Sequence, residues 1–163
     1  MKLYNLFIIC TIATMTIALN GCKEDSDTEK PVIILEEPAE GDILQIGGEH
    51  GVHFDAEFSD NEALASYKVN IHPNFDGHTH TRSAVVRQSA AETVDFVFEK
   101  TWPLSGRNQA IHHHEIEIPE NATPGNYHLM VYCTDAAGNE THIAINVVLS
   151  RDAGDDHDHD HEH

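Results

Sequence analysis

The sequence predicts an all-β fold, an antiparallel β-sandwich of about seven strands filling residues 31–150. Three observations predict it. Apolar and polar residues alternate through a series of short runs, the period-two pattern of strands buried on one face. Gly, Pro, Asn and Asp punctuate the runs as turn formers. The region also lacks the 3.6-residue apolar period of a long amphipathic helix.

The strands are expected as follows. Val32 to Leu35 is a short apolar run between prolines and suits an edge. Gly51 to Ser59 sets Val52, Phe54, Ala56 and Phe58 on one face and His53, Asp55 and Glu57 on the other. Ala65 to His72 opposes Tyr67, Val69 and Ile71 to Lys68, Asn70 and His72. Val94 to Phe98 turns Val94, Phe96 and Phe98 inward, and Glu115 to Ile118 offers Ile116 and Ile118. Tyr127 to Cys133 buries Tyr127, Leu129, Val131 and Cys133, leaving His128, Met130 and Tyr132 opposite. Thr141 to Leu149 contributes Ile143, Ile145 and Val147.

Seven alternating strands in roughly a hundred residues point to an immunoglobulin-like sandwich. Pro124-Gly125-Asn126-Tyr127 and the turn Asp135-Ala136-Ala137-Gly138-Asn139 are similar to the E–F corner and F–G turn of bacterial Ig-like modules. That resemblance implies that the Tyr127 hydroxyl bonds back to the corner. The Ig inter-sheet disulfide is not expected. Cys10 lies in the leader and Cys22 at a processing site, so Cys133 is read as a small apolar side chain.

Residues 1–21 read as a signal peptide, with Lys2 as the positive n-region and Leu6 to Leu19 as the apolar h-region. Leu19-Asn20-Gly21-Cys22 resembles the lipobox of bacterial lipoproteins, which implies lipidation of Cys22 and cleavage before it. Residues 22–30 then form the lipidated cysteine and a polar tether. Their acidic run resembles the surface-export signal of Bacteroidota lipoproteins, and Lys23 stands where an aspartate would favour inner-membrane retention. The expected location is the outer membrane, reached through the lipid anchor, with both the cell surface and the periplasmic side open to it. Residues 151–163 form a disordered, low-complexity His/Asp tail. More widely, the lipobox, the H-P-N-F-D-G-H-T-H turn, the H-H-H-E-I-E-I-P strand and the G-N-Y-H…D-A-A-G-N end resemble an uncharacterised family of Bacteroidota lipoproteins with a single histidine-rich Ig-like domain.

Composition limits the functions. The 163 residues hold 9 Lys plus Arg against 28 Asp plus Glu, for a formal charge of −19, together with 14 histidines. So acidic a chain repels nucleic-acid phosphates and attracts cations. Imidazole is the commonest side-chain ligand for zinc, copper and nickel.

The histidines fall into three groups. His72, His78 and His80 surround the turn Pro73-Asn74…Asp76-Gly77. In an Ig topology the strand ending at His72 runs beside the one starting at Tyr127, so His72 and His128 face outward as neighbours. His72, His78, His80 and His128, with Asp76 as a further ligand, form the expected metal site, and His50 and His53 are expected at the same end. His112, His113 and His114 cannot share one face of a strand; His112 and His114 can, and they form a second candidate group. They are expected at the opposite end. His157, His159, His161 and His163 are tail ligands, similar to the His/Asp loops of periplasmic zinc-handling proteins. Imidazole and carboxylate without thiolate suit Zn²⁺, and also Ni²⁺ and Cu²⁺.

The expected function is a membrane-anchored zinc-binding lipoprotein that captures or hands on the ion, beside an outer-membrane receptor or transporter. The alternative is an Ig-like adhesion or scaffold module with incidental histidines. No H-E-x-x-H, G-x-S-x-G or paired catalytic cysteine occurs, so an enzyme is not expected.

Overall fold

Strand alternation builds two facing sheets. The computed structural model describes residues 27–75 and 93–152, and among these there are eight strands and no helix. The expected signal peptide, Cys22 and the tail histidines lie outside the described residues, as do Asp76, His78 and His80. β1 (Val32–Glu37), β3 (Val52–Ser59) and β6 (Asn108–Ile116) form one sheet, in the order β1-β3-β6. β2 (Ile43–Gln45), β8 (Glu140–Ser150), β7 (Gly125–Asp135), β4 (Leu64–Pro73) and β5 (Phe98–Pro103) form the other, in the order β2-β8-β7-β4-β5. Within each sheet all pairs are antiparallel except β2 with β8. The fold is the expected immunoglobulin-like sandwich, with β1, β3 and β6 packed against β8, β7 and β4.

The inner faces interdigitate as alternation requires. Phe54, Ala56, Phe58 and Ile116 of the first sheet meet Tyr67, Val69, Ile71, Tyr127, Leu129 and Val131 of the second, each 2% exposed or less. Side chains of this size contribute about 1.5–3 kcal/mol each on burial. Cys133 is a free, fully buried thiol on β7 and packs as an apolar residue. Burial, followed by the charges of Asp60 and Asp135, pushes its thiol up to about 11.

Tyr127 closes the corner before β7. Its hydroxyl donates to the Thr123 carbonyl at 2.8 Å and accepts the Phe96 backbone N–H at 3.3 Å. The turn after β7 is locked by Asp135, whose two oxygens accept the Asn139 backbone and side-chain N–H groups, both at 2.7 Å.

Three strands differ from expectation. The run from Val94 contributes only an isolated bridge, Val94 to Ala122, with Val94 56% exposed. Phe96 is buried, but strand β5 starts at Phe98 and pairs along the edge of β4. Its middle, Glu99-Lys100-Thr101, is polar and exposed because an edge strand covers little core. β6 begins at Asn108, seven residues before the expected start at Glu115. Its inward positions include Gln109 and His113, which do not read as apolar. β2 is a short strand with no alternation long enough to read.

Candidate metal centre

β3 and β6 are neighbours, with Phe54 paired to His113 and Asp55 to His112. Phe54 faces the core, so His53 and Asp55 face out from β3, and His112 and His114 face out from β6. The ladder therefore collects three imidazoles on the outer face of the three-stranded sheet. The ligand nitrogens of His53, His112 and His114 all lie within 4.8 Å of one another.

Within this group His53 Nε2 is 3.2 Å from His112 Nδ1. Two nitrogens bound to one tetrahedral zinc at 2.0–2.1 Å would be about 3.3 Å apart, so this pair already stands at ligand spacing. The His114 ring stacks on His53 at 4.8 Å between centroids. The other nitrogen of His53, Nδ1, meets Glu37 Oε2 of β1 at 2.9 Å. A carboxylate on the far nitrogen fixes the tautomer and presents Nε2 as the metal-facing lone pair. Asp55 Oδ2 lies 3.4 Å from His112 Nδ1 and is positioned as a further oxygen donor. The site is open to solvent, with the His53 side chain 42% exposed and that of His112 57%.

The backbone is shaped to bring β6 this close. The β3–β6 register shifts between Val52 and Phe54, where β6 carries an extra residue. Gly51 sits at that irregularity with φ +67°, and a Cβ on it would lie 2.3 Å from the His114 carbonyl oxygen. Only glycine accepts both the left-handed φ and the close approach.

His113 takes the opposite side. It stacks on Phe54 at 4.9 Å and on Trp102 at 5.0 Å, and its Nε2 lies 3.0 Å from the Tyr67 hydroxyl. Its Nδ1 accepts the Glu115 backbone N–H at 3.2 Å, so the ring proton belongs on Nε2 and is donated to Tyr67. Burial holds the His113 imidazole below its ordinary value, despite the opposing Glu115 charge. Burial also raises the Tyr67 phenol, aided by Glu115.

His72 and His128 are paired across β4 and β7, with ring centroids 5.5 Å apart, on the outer face of the five-stranded sheet. Their polar neighbours occupy specific nitrogens. His72 Nδ1 bonds Asn70 Oδ1 at 2.7 Å, and His128 Nε2 accepts from the Asn74 amide at 2.7 Å. The same amide donates to Asn146 Oδ1 at 3.3 Å. His72 Nε2 and His128 Nδ1 are the nitrogens these bonds leave for another partner. Phe75 packs edge-on against Tyr127 at 5.4 Å, and the three other residues expected at this site follow it beyond the described segment.

Sequence reasoning set His112 to His114 at the end opposite His72. The structure sets them beside the first half of β3, because β6 begins at Asn108 and runs past them. His53, expected at the same end as His72, stands on the other sheet, with His112 and His114. Glu37 and Asp55 were missed as partners. The i, i+2 parity of His53 with Asp55 and of His112 with His114, on strands that an Ig topology makes adjacent, is the signal that identifies the group.

A model of a family described as a domain of unknown function, DUF4625, matches residues 20–150. No curated protein matches the sequence.

Proposed function

The chain belongs to the DUF4625 family, a domain of unknown function, and from its own side chains we propose that it is a membrane-anchored lipoprotein that binds a divalent transition metal, zinc foremost. One observation carries this reading: three outward imidazoles from two strands with ligand nitrogens within 4.8 Å, one of them oriented by a carboxylate. Three nitrogens plus one open position suit zinc; nickel and copper accept the same donors. An open, solvent-exposed position favours capture and release of the ion over a permanently closed structural site. The work proposed is binding and transfer, without catalysis.

His72 and His128 form a second, two-imidazole element in this reading, which His78, His80 and Asp76 complete. The tail histidines His157, His159, His161 and His163 raise the local ligand concentration near the domain. Lipidation of Cys22 holds the protein at the outer membrane, facing the cell surface, where it passes ions to or from a membrane receptor or transporter. β1 starts opposite the end of β3, at Val32 and Ser59, which supports an anchor at the pole away from His72 and His128.

Zinc calorimetry on a chain truncated after Asp152, which keeps every described strand and removes the competing tail, tests the reading. Micromolar or tighter binding is expected, and a His53→Ala, His112→Ala double variant is expected to bind one ion fewer, with the His72 element left in place. Absence of binding in the parent would leave the adhesion or scaffold reading in its place. Cys22→Ala should release the protein from membranes, and unchanged membrane partition would remove the anchor.

A further inference from the structure

At the other end of the β4–β7 ladder from His72 and His128, three carboxylates from distant parts of the chain meet. Asp27 precedes β1, Asp60 follows β3, and Asp135 ends β7, where it pairs with Leu64. Each offers one oxygen, and the three oxygens lie within 4.8 Å of one another. Like charges this close repel, and among the described residues no Lys, Arg or His forms a salt bridge with any of them.

Each carboxylate is nevertheless held in place and kept ready to bind. Asp27 Oδ1 accepts from the Asn61 amide at 3.1 Å and the Glu29 N–H at 3.0 Å. The Asn139 side-chain amide donates both to Asp135 Oδ2 and, at 3.1 Å, to the Asp27 carbonyl, drawing the incoming chain onto the turn. Asp135 is 2% exposed. Burial works against its charge, but the Asn139 side-chain and backbone bonds hold its carboxyl below the usual range.

Asp60 supplies a second and independent observation. Its Oδ1 accepts the Glu62 and Ala63 N–H groups at 2.9 and 2.8 Å, which leaves Oδ2 as its free oxygen. That oxygen is enclosed, with less than 1 Å² of accessible surface, and has no hydrogen-bond partner among the described residues. A charged oxygen withdrawn from water without a partner is strongly disfavoured, and a cation among the three carboxylates would satisfy it.

We infer that Asp27, Asp60 and Asp135 bind a hard divalent cation of the calcium type, which ties the incoming chain to the base of the sandwich. The donors are all oxygen, with no nitrogen or sulfur ligand to favour zinc or copper. They come from three separate segments, so the cage adjusts more readily to calcium's 6–8 irregular ligands than to the strict octahedron of magnesium. Backbone carbonyls and water complete the shell. The site is separate from the histidine groups in position and in chemistry, and it does not depend on the zinc reading.

Thermal unfolding of the full chain tests this, in chelator and then in about 10 mM calcium, above the dissociation constants of extracellular calcium modules. Calcium is expected to raise the midpoint by about 3 °C or more. Asp60→Asn should remove that rise, and in chelator it should unfold at or above the parent's temperature, because the repulsion is relieved. Should Asp60→Asn fail to fold, Asp27→Asn, in the incoming segment, makes the same comparison. The acidic tail is common to all variants, so its own binding cancels. No calcium shift in the parent, or an undiminished shift in the variants, overturns the site. An equal shift with magnesium overturns the calcium assignment.

Discussion

His53 Nε2 stands 3.2 Å from His112 Nδ1 across the β3–β6 ladder, with Glu37 holding the other nitrogen of His53. The two rings meet nearly at right angles, with centroids 4.6 Å apart. Two neutral imidazoles can share only one proton at that distance, and a metal ion satisfies both lone pairs. His53→Ala and His112→Ala should each weaken zinc binding by about 10-fold or more in the tail-truncated chain. Because protons compete for the same nitrogens, affinity should fall as the solution is acidified. Calorimetry across a pH series checks both statements.

Glu37 acts through His53. Glu37→Ala should lower zinc affinity by about 10-fold, and Glu37→Gln, which keeps an acceptor oxygen, should recover part of it. Equal affinity in all three proteins would show that the carboxylate does not orient the ring.

Gly51 links fold and site. Gly51→Ala places a methyl 2.3 Å from the His114 carbonyl oxygen at a φ that alanine avoids. We expect a loss of about 1–3 kcal/mol in unfolding free energy and weaker zinc binding in the same variant. Denaturant unfolding and calorimetry on that protein report the two effects separately.

Much of the fold was legible because it rests on alternation. Phe54, Phe96, Tyr127 and Val131 are buried as their parity requires, and the outward parity of His72 and His128 makes them cross-strand neighbours. The error in β6 came from His113. An imidazole counts as polar in a pattern, yet between Phe54 and Trp102 it packs as an aromatic ring with one hydrogen bond to Tyr67. With His113 counted inward, β6 extends back through Ile111 and His112 and His114 come to face His53. The Asp27, Asp60 and Asp135 cluster could not be read, because three segments distant in sequence meet only once the two sheets have closed.

The part-buried position of His113 gives the fold a pH dependence. Burial lowers its folded-state affinity for a proton, so below its ordinary value of 6.5 the unfolded chain takes the proton first. The stabilisation is complete above about pH 6.5 and is lost as pH falls from there through the depressed folded value. His113→Phe keeps the stacking and removes the titration. The parent's stability relative to this variant should therefore decline between about pH 7 and pH 5. A constant difference in unfolding free energy over that range would contradict it.

Tyr127→Phe tests the corner. Removing the hydroxyl frees the Thr123 carbonyl and leaves the Phe96 N–H without its acceptor. A loss of about 1–3 kcal/mol is expected, with zinc affinity unchanged, as read by denaturant unfolding and calorimetry.

The most direct measurement is a zinc-edge anomalous difference map from crystals of the zinc-loaded chain truncated after Asp152. The account predicts a strong peak on the outer face of the β1-β3-β6 sheet, about 2.0–2.1 Å from His53 Nε2, His112 Nδ1 and a nitrogen of His114. Zinc found elsewhere, with these three imidazoles unliganded, would contradict it.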